Sequence, residues 1–127
     1  MPLITGVDHN HRVVSVVAIG PVTVADVRDH VLHVKREHGI GYPEMLDARG
    51  AAFPSTAEDF QQIVEMVRAL REDGPPGCTA IIVSSDADLD SLRALEEQLE
   101  GLCEVKAFRD EQEARVWLGT KARSQSA

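Results

Sequence analysis

The sequence predicts an α/β domain built around a mixed five-stranded sheet, in which an N-terminal antiparallel hairpin is followed by parallel units of the βαβαβα type. Three observations support this prediction. A short β-branched run, a turn and an amphipathic helical stretch follow one another three times after residue 10. Two apolar runs separated by a short polar turn open the chain. The run from Thr79 to Val83 is apolar almost throughout, which is typical of a buried strand in a parallel sheet.

The first two strands are predicted from Leu3 to Val7 and from Arg12 to Ile19. The residues between them, 8–11, are polar and of types that tolerate the backbone conformation of a tight turn. Gly20 and Pro21 end the second strand. Because residues 12–19 are apolar at nearly every position, we expect both faces of this strand to need a cover.

Thr23 is predicted to begin the first helix, with Asp26 as its partner in an acidic variant of the capping box. Valines at helical spacing then form the stripe that faces the sheet, namely Val24, Val27, Val31 and Val34. Glycines at 39 and 41 end this helix, and His38 is expected to close its C-terminus.

Met45 to Ala48 is predicted as the third strand, closed by Arg49 and Gly50. Ser55 then opens the second helix, in a capping box with Glu58. The apolar residues of this helix fall on one face, which predicts that this face packs against the sheet.

The second half of the chain repeats the pattern. Ser85 precedes a third helix whose leucines recur at helical spacing. Residues 104–108 alternate between polar and apolar side chains, as in an edge strand. Asp110 opens the last helix, which is predicted to end at Gly119.

Length and composition fit a single cytoplasmic domain over residues 1–119, with a flexible tail over 120–127. The net charge is −8, with the acidic excess mainly in the second half, which argues against nucleic acid or anionic membrane as a partner.

The N-terminus lacks a signal-peptide pattern, and no apolar run is long enough to span a bilayer. Cys78 and Cys103 are expected to be buried, reduced thiols.

Two pairs of histidines in the N-terminal third have spacings that metal ligands use. His9 and His11 are two residues apart, and His30 and His33 are neighbours on the first helix. Imidazole pairs bind zinc or nickel, but no acidic or cysteine ligand pattern accompanies these pairs. We therefore predict no metal and no other cofactor, while the spacing itself leaves a metal site open.

The chain resembles the STAS domain of anti-sigma-factor antagonists, the SpoIIAA-like group, over Leu3 to Gly119. The resemblance rests on the order of elements and on the Gly-Pro-Val-Thr segment at 20–23 that leads into the first helix. It also rests on residues 105–118, where a strand ending in Phe precedes a helix ending in Ala-x-x-Trp-Leu. This C-terminal segment is similar to that of small bacterial STAS-like proteins of uncharacterised role.

In that family a kinase phosphorylates a Ser or Thr at the start of the second helix, after an Asp-Ser-[Ser/Thr]-Gly turn. The matching region here is 47–56, where the tight turn motif is absent and several further residues intervene. The resemblance implies Asp47, Arg49, Ser55 and Thr56 as candidate regulatory or binding residues. An ordinary helix-capping role for Ser55 explains its position equally well.

Right-handed crossovers between neighbouring parallel strands are expected to place the helices on one face of this sheet. The second face then needs a cover, because an exposed apolar face invites aggregation. We expect a homodimer, or a groove that takes a lipophilic ligand. These expectations favour a non-enzymatic regulatory or protein-interaction module with a protein partner, and the alternative is a small lipophilic-ligand carrier.

Overall fold

The structure, a computed structural model, describes residues 3–53 and 56–126, and their side chains except those of residues 73 and 122–126. Its strands are β1 (Leu3–Asp8), β2 (Val13–Pro21), β3 (Glu44–Ala52), β4 (Thr79–Ile82) and β5 (Val105–Phe108). Its helices are α1 (Val24–Arg36), α2 (Ala57–Leu70), α3 (Asp86–Leu99) and α4 (Glu111–Ser126), and a short 3₁₀ turn (Arg71–Asp73) follows α2. Within the described residues, no helix is both long and apolar enough to cross a membrane.

The five strands lie side by side in chain order. β1 pairs with β2 in antiparallel orientation, and every later pair of neighbours is parallel. A helix connects each parallel pair, which is the kind of crossover that parallel neighbours require. The predicted mixed sheet with an N-terminal hairpin is therefore confirmed, and β5 is an edge strand as its alternating sequence indicated.

Helices α1, α2 and α3 cover one face of the sheet, which we call the three-helix face. Val14 and Val16 of β2 are buried with Val34 of α1. Of the predicted valine stripe, Val34 is buried and the other three valines are half-buried. Further along the sheet, Ile81 and Phe60 belong to a second cluster that also includes residues of α3. The buried members of that cluster are Ala48, Phe60, Val64, Ile81, Val83, Leu92, Leu95, Leu99 and Ala107.

Helix α4 packs against the opposite face of the sheet, which we call the α4 face. Ala114 and Leu118 are buried against Ile82 of β4, and the Trp117 ring lies 5.7 Å from the ring of Phe108. The prediction that all helices share one face is therefore wrong. A crossover between parallel strands is right-handed, but α4 follows the last strand and crosses to no other, so that rule does not determine its side.

Helix α1 begins and ends in two hydrogen-bonded motifs. The Thr23 hydroxyl accepts from the backbone N–H of Asp26, whose carboxylate accepts from the Thr23 N–H, as the predicted capping box requires. At the other end His38 adopts a left-handed conformation with φ of 61°. Its N–H donates to the Lys35 carbonyl while the next N–H donates to Val34, so His38 closes the helix as expected.

Helix α2 begins one residue later than predicted. Its capping box joins Thr56 to Asp59, with the Thr56 hydroxyl accepting from the Asp59 N–H at 3.1 Å. The prediction of a box between Ser55 and Glu58 is therefore wrong. The shift of one residue places Asp59, and not Glu58, at the third helical position, from which a carboxylate reaches back to the cap.

Strand β3 does not close at Arg49 and Gly50 as predicted. It continues because residues 50–52 pair with residues 19–21 of β2. The register shifts just before this pairing, so β3 contains one more residue than β2 there, as in a β-bulge.

Helix α4 does not end at Gly119 as predicted but runs to Ser126. A glycine inside a helix costs only about 1 kcal/mol relative to alanine. The turn that follows is also tied to the sheet, because Lys121 Nζ lies 2.7 Å from Glu104 Oε2.

Helix α4 leaves the α4 face uncovered over β1 and β2. The residues on this uncovered part form what we call the open patch: Ile4, Gly6, Val13, Ser15, Val17 and Ile19. Ile4, Val17 and Ile19 are 60 %, 44 % and 58 % exposed, whereas β4 is buried on both faces as predicted. The expected need for a cover therefore applies to β2 and not to β4.

Candidate functional site

The open patch, apart from Ile19, is the floor of a shallow groove of about 720 Å³. One wall of the groove is α4, which contributes Glu111, Arg115 and Leu118, and Asp47 of β3 lies at the same side. The floor is uncharged, while the wall carries charges of both signs. This arrangement is a surface that can bind a macromolecule, with an apolar centre and a polar border.

Two of the predicted residues, Asp47 and Arg49, meet at the edge of this groove. They are two residues apart on β3, and the contact of Arg49 with Glu111 of α4 places this pair on the α4 side of the sheet. Arg49 Nε donates to Asp47 Oδ1 at 2.9 Å, and Arg49 Nη2 donates to Oδ2 at 2.8 Å. This two-pronged geometry fixes the direction of the guanidinium as well as its charge.

Helix α4 extends the pair into a network that the sequence did not indicate. Arg49 Nη2 also donates to Glu111 Oε1 at 3.2 Å, and Arg115 Nε donates to Glu111 Oε2 at 3.2 Å. The spacing of four residues between Glu111 and Arg115 predicts an ion pair on a helix surface. Nothing in the sequence links this ion pair to Arg49, because the contact depends on which face of the sheet α4 covers.

The charges of this network stabilise one another. The hydrogen bond from Arg49 holds the pKa of Asp47 below its usual value, and the same bond raises the pKa of Arg49. Both groups therefore stay charged at neutral pH. A general acid or base titrates near neutrality, and the pKa shifts of these two groups run away from that range.

Of the other two predicted residues, Thr56 is not part of this network. Thr56 begins α2, which packs on the three-helix face through Phe60, whereas Asp47 and Arg49 lie on the opposite face. Ser55 lies outside the described residues, so its predicted role as a phosphorylation site stays a prediction.

The histidine pairs of the sequence are separated in the structure. His9 Nδ1 is 2.8 Å from the Tyr42 hydroxyl, and His11 Nδ1 is 2.8 Å from Asp8 Oδ2. His33 is exposed on α1, whereas His30 points toward the sheet. Over residues 3–53 and 56–126, no group of three or more His, Cys, Asp or Glu side chains is placed to hold a metal ion.

His30 belongs to a series of hydrogen-bonded side chains that crosses the three-helix face. His30 Nε2 bonds to Glu44 Oε1, and Glu44 Oε2 accepts from the Thr79 hydroxyl at 3.2 Å. A carboxylate only accepts, so Nε2 donates to Glu44, and Nδ1 lies 2.9 Å from the Thr5 hydroxyl oxygen. The His30 and Glu44 side chains are only 12 % and 20 % exposed. No pattern in the sequence indicates this pair, which joins α1 to β3.

A second concavity, which we call the inner cavity, lies beside these side chains. It has a volume of about 180 Å³ and lies between the three-helix face and the helices that cover it. Its lining is mainly apolar and includes Val31, Val34, Leu46, Phe53, Ile63 and Val67. Its polar lining comes from His30, Tyr42, Glu44 and Thr79, so an otherwise apolar space has one polar region.

Comparisons with known proteins identify the fold. The chain matches the crystal structure of an uncharacterized protein of the DUF3478 family, with a SpoIIAA-like fold, from Shewanella loihica PV-4. The match has a TM-score of 0.57 and 18 % sequence identity, and it covers 91 % of this chain and 93 % of that one. No protein-family model and no curated protein matches the chain. This domain therefore has the SpoIIAA-like fold, as its sequence predicted.

Proposed function

We propose that this chain is a non-enzymatic interaction module with a regulatory role, and that its open patch binds a second copy of the chain. The observation that carries the proposal is the exposure of Ile4, Val17 and Ile19 on a sheet whose remaining apolar faces are covered by helices. Contiguous apolar surface of this kind marks interaction sites in proteins.

The charges around the open patch favour a second copy over a strongly acidic or basic partner. The open patch has no charged side chain of its own, and Arg12 lies beside it in the groove, so two copies can meet there even though each chain has a net charge of −8. The rim of the groove, formed by its α4 wall and the Asp47–Arg49 pair, carries charges of both signs close together. Asp47 and Glu111 are negative, and Arg49 and Arg115 are positive. A two-fold axis brings a surface against itself, and such a rim can then pair with its own copy.

The size of the open patch indicates a weak dimer. Two neighbouring strands of this length present a face of roughly 10 Å by 20 Å. A stable interface buries about 800 Å² on each partner, so the proposed interface must also include the rim and the flank of α4. We therefore expect association that depends on protein concentration, not an obligate dimer.

Sedimentation velocity over a concentration series tests the proposal. We expect the wild-type chain to move from monomer to dimer as its concentration rises. Val17→Lys, which places a charge in the middle of the open patch, should remain monomeric. Leu32→Lys is the matched control, because Leu32 is 45 % exposed but lies on α1, on the other side of the sheet.

Two results would contradict the proposed dimer. One is a wild-type chain that stays monomeric at the highest concentration reached. The other is a Val17→Lys variant that dimerises as strongly as the Leu32→Lys control.

Binding of a small lipophilic ligand is the second candidate function, and the inner cavity favours it. This cavity and the open patch lie on opposite faces of the sheet, so both functions can coexist in one chain. Native mass spectrometry of protein from its own host would detect a ligand that stays bound through purification.

A further inference from the structure

We propose that the inner cavity binds a small apolar molecule that carries a hydroxyl or amino group, which donates a hydrogen bond to the carboxylate of Glu44. The inference rests on the second candidate function, ligand binding in the inner cavity, and names the chemistry of the ligand. It does not depend on the proposed dimer, since the two sites lie on opposite faces of the sheet. It rests on the size of the cavity, on its apolar lining and on the position of Glu44.

The volume of the cavity limits the size of the ligand. An engineered protein cavity of about 150 Å³ with an apolar lining binds benzene, and drug-sized ligands need about 300 Å³ or more. At about 180 Å³, the inner cavity suits a single ring or a short branched chain. It is too small for a long acyl chain. The volume therefore excludes long-chain lipids from the lipophilic ligands expected of a carrier.

The apolar lining supplies the affinity for such a ligand. Leu46 and Phe53 line the cavity from β3 and the residue after it, and Ile63 and Val67 line it from α2. Protein interiors are normally close-packed, and the atoms around an unfilled space lack contacts on one side. A ligand of the right size restores these contacts and removes its own apolar surface from water.

The polar region of the cavity determines which functional group is accepted. Glu44 lies in the wall, with Oε1 bonded to His30 and Oε2 bonded to Thr79. Each carboxylate oxygen has a second lone pair, so the carboxylate can accept a further hydrogen bond without losing those it has. A hydroxyl or ammonium group supplies that donor. A ligand carboxylate would instead place a second negative charge beside Glu44, with little water to screen the repulsion.

Three matched probes test this assignment, namely benzyl alcohol, toluene and benzoate. They share one ring and differ in the group that would meet Glu44. Titrations followed by methyl NMR should show saturable binding of benzyl alcohol, with shifts confined to lining residues such as Val34 and Ile63. Benzoate should bind at least about tenfold more weakly, and toluene should lie between the two. Glu44→Gln keeps the shape of the side chain but removes its charge, so it should reduce the preference for benzyl alcohol over benzoate.

Substitutions that fill the inner cavity test whether benzyl alcohol binds there. Val67→Phe should abolish binding of benzyl alcohol, and the smaller change Val67→Leu should weaken it if the larger one prevents folding. Val116→Leu is the matched control, because Val116 is exposed on α4, on the opposite face of the sheet. This variant should bind benzyl alcohol as the wild type does. The proposal is overturned if wild-type protein shows no saturable binding of benzyl alcohol, or if benzoate binds equally well. Binding that survives both Val67 substitutions unchanged would also overturn it, because the probe would then occupy another place.

Discussion

Arg49 and Asp47, which stand two residues apart on β3, hold each other in a two-pronged ion pair with N–O distances of 2.9 and 2.8 Å. The register shift between β2 and β3 falls within this stretch of the strand. Through Glu111 the same guanidinium reaches the first turn of α4. The pair therefore connects the border of the open patch to the helix that forms its wall.

Replacing Arg49 should change the titration of its partner. In Arg49→Met, Asp47 loses the hydrogen bond that lowers its pKa, so we expect its pKa to rise toward the usual value. A depressed folded-state pKa contributes stability above the unfolded value of about 3.9, and this contribution is lost as the pH falls through the folded value. Acid unfolding of Arg49→Met should therefore depend less on pH in this acidic range. Carboxyl ¹³C NMR of Asp47 measures the pKa directly.

A control variant separates this effect from a general change in net charge. Arg68→Met removes an arginine whose ion pair with Glu65 lies on the surface of α2. It should leave the Asp47 titration as it is in the wild type. An Asp47 pKa that is the same in Arg49→Met and in the wild type would contradict the assigned cause of the shift.

The packing of α4 on the sheet can be tested at Ala114. Its side chain is 0 % exposed in the cluster with Ala80 and Ile82, so there is no room for a larger residue. We expect Ala114→Leu to lower the free energy of unfolding by about 1–3 kcal/mol, as overpacking commonly does. Ala94→Leu is the matched control, because Ala94 is exposed on α3 and should change stability by less than about 0.5 kcal/mol. Equal stability of the two variants in urea unfolding would mean that α4 does not pack as described.

The sequence predicted those features of the fold that depend on local pattern. The valine stripe of α1, the capping box at Thr23 and the apolar run of β4 each specify one element and its buried side. The position of α4 is not local, because its apolar residues show which side of the helix is buried but not which face of the sheet it covers. The same limit applies to the candidate site. Arg49 and Glu111 are 62 residues apart in the chain, and His30 meets Glu44 only after α1 has folded back over the sheet.

The capping residue of α2 offers a direct test of where that helix begins. Thr56→Ala removes the hydroxyl that accepts from the Asp59 N–H, so it should lower the free energy of unfolding by about 1 kcal/mol. Thr56→Ser keeps the acceptor and should retain most of the stability. Urea unfolding of the three proteins measures both effects. An alanine variant as stable as the serine variant would show that this hydroxyl is not the cap.

Cys78 is buried as predicted and Cys103 is half-buried, and both thiols should be slow to alkylate in the folded protein. Desolvation raises the pKa of Cys103 to about 11 and also raises that of Cys78, which is 1 % exposed. At pH 8 a thiol of pKa 11 is about 0.1 % ionised, whereas an ordinary thiol of pKa about 8.5 is roughly a quarter ionised. Since the thiolate is the reactive species, iodoacetamide should modify Cys103 in the Cys78→Ala variant at least a hundredfold more slowly in buffer than in urea. The rate in buffer should keep rising about tenfold per pH unit up to pH 10, because the thiolate fraction has not yet levelled off. A rate that levels off near pH 9 in the folded variant would mean that the Cys103 thiol is solvated and not buried.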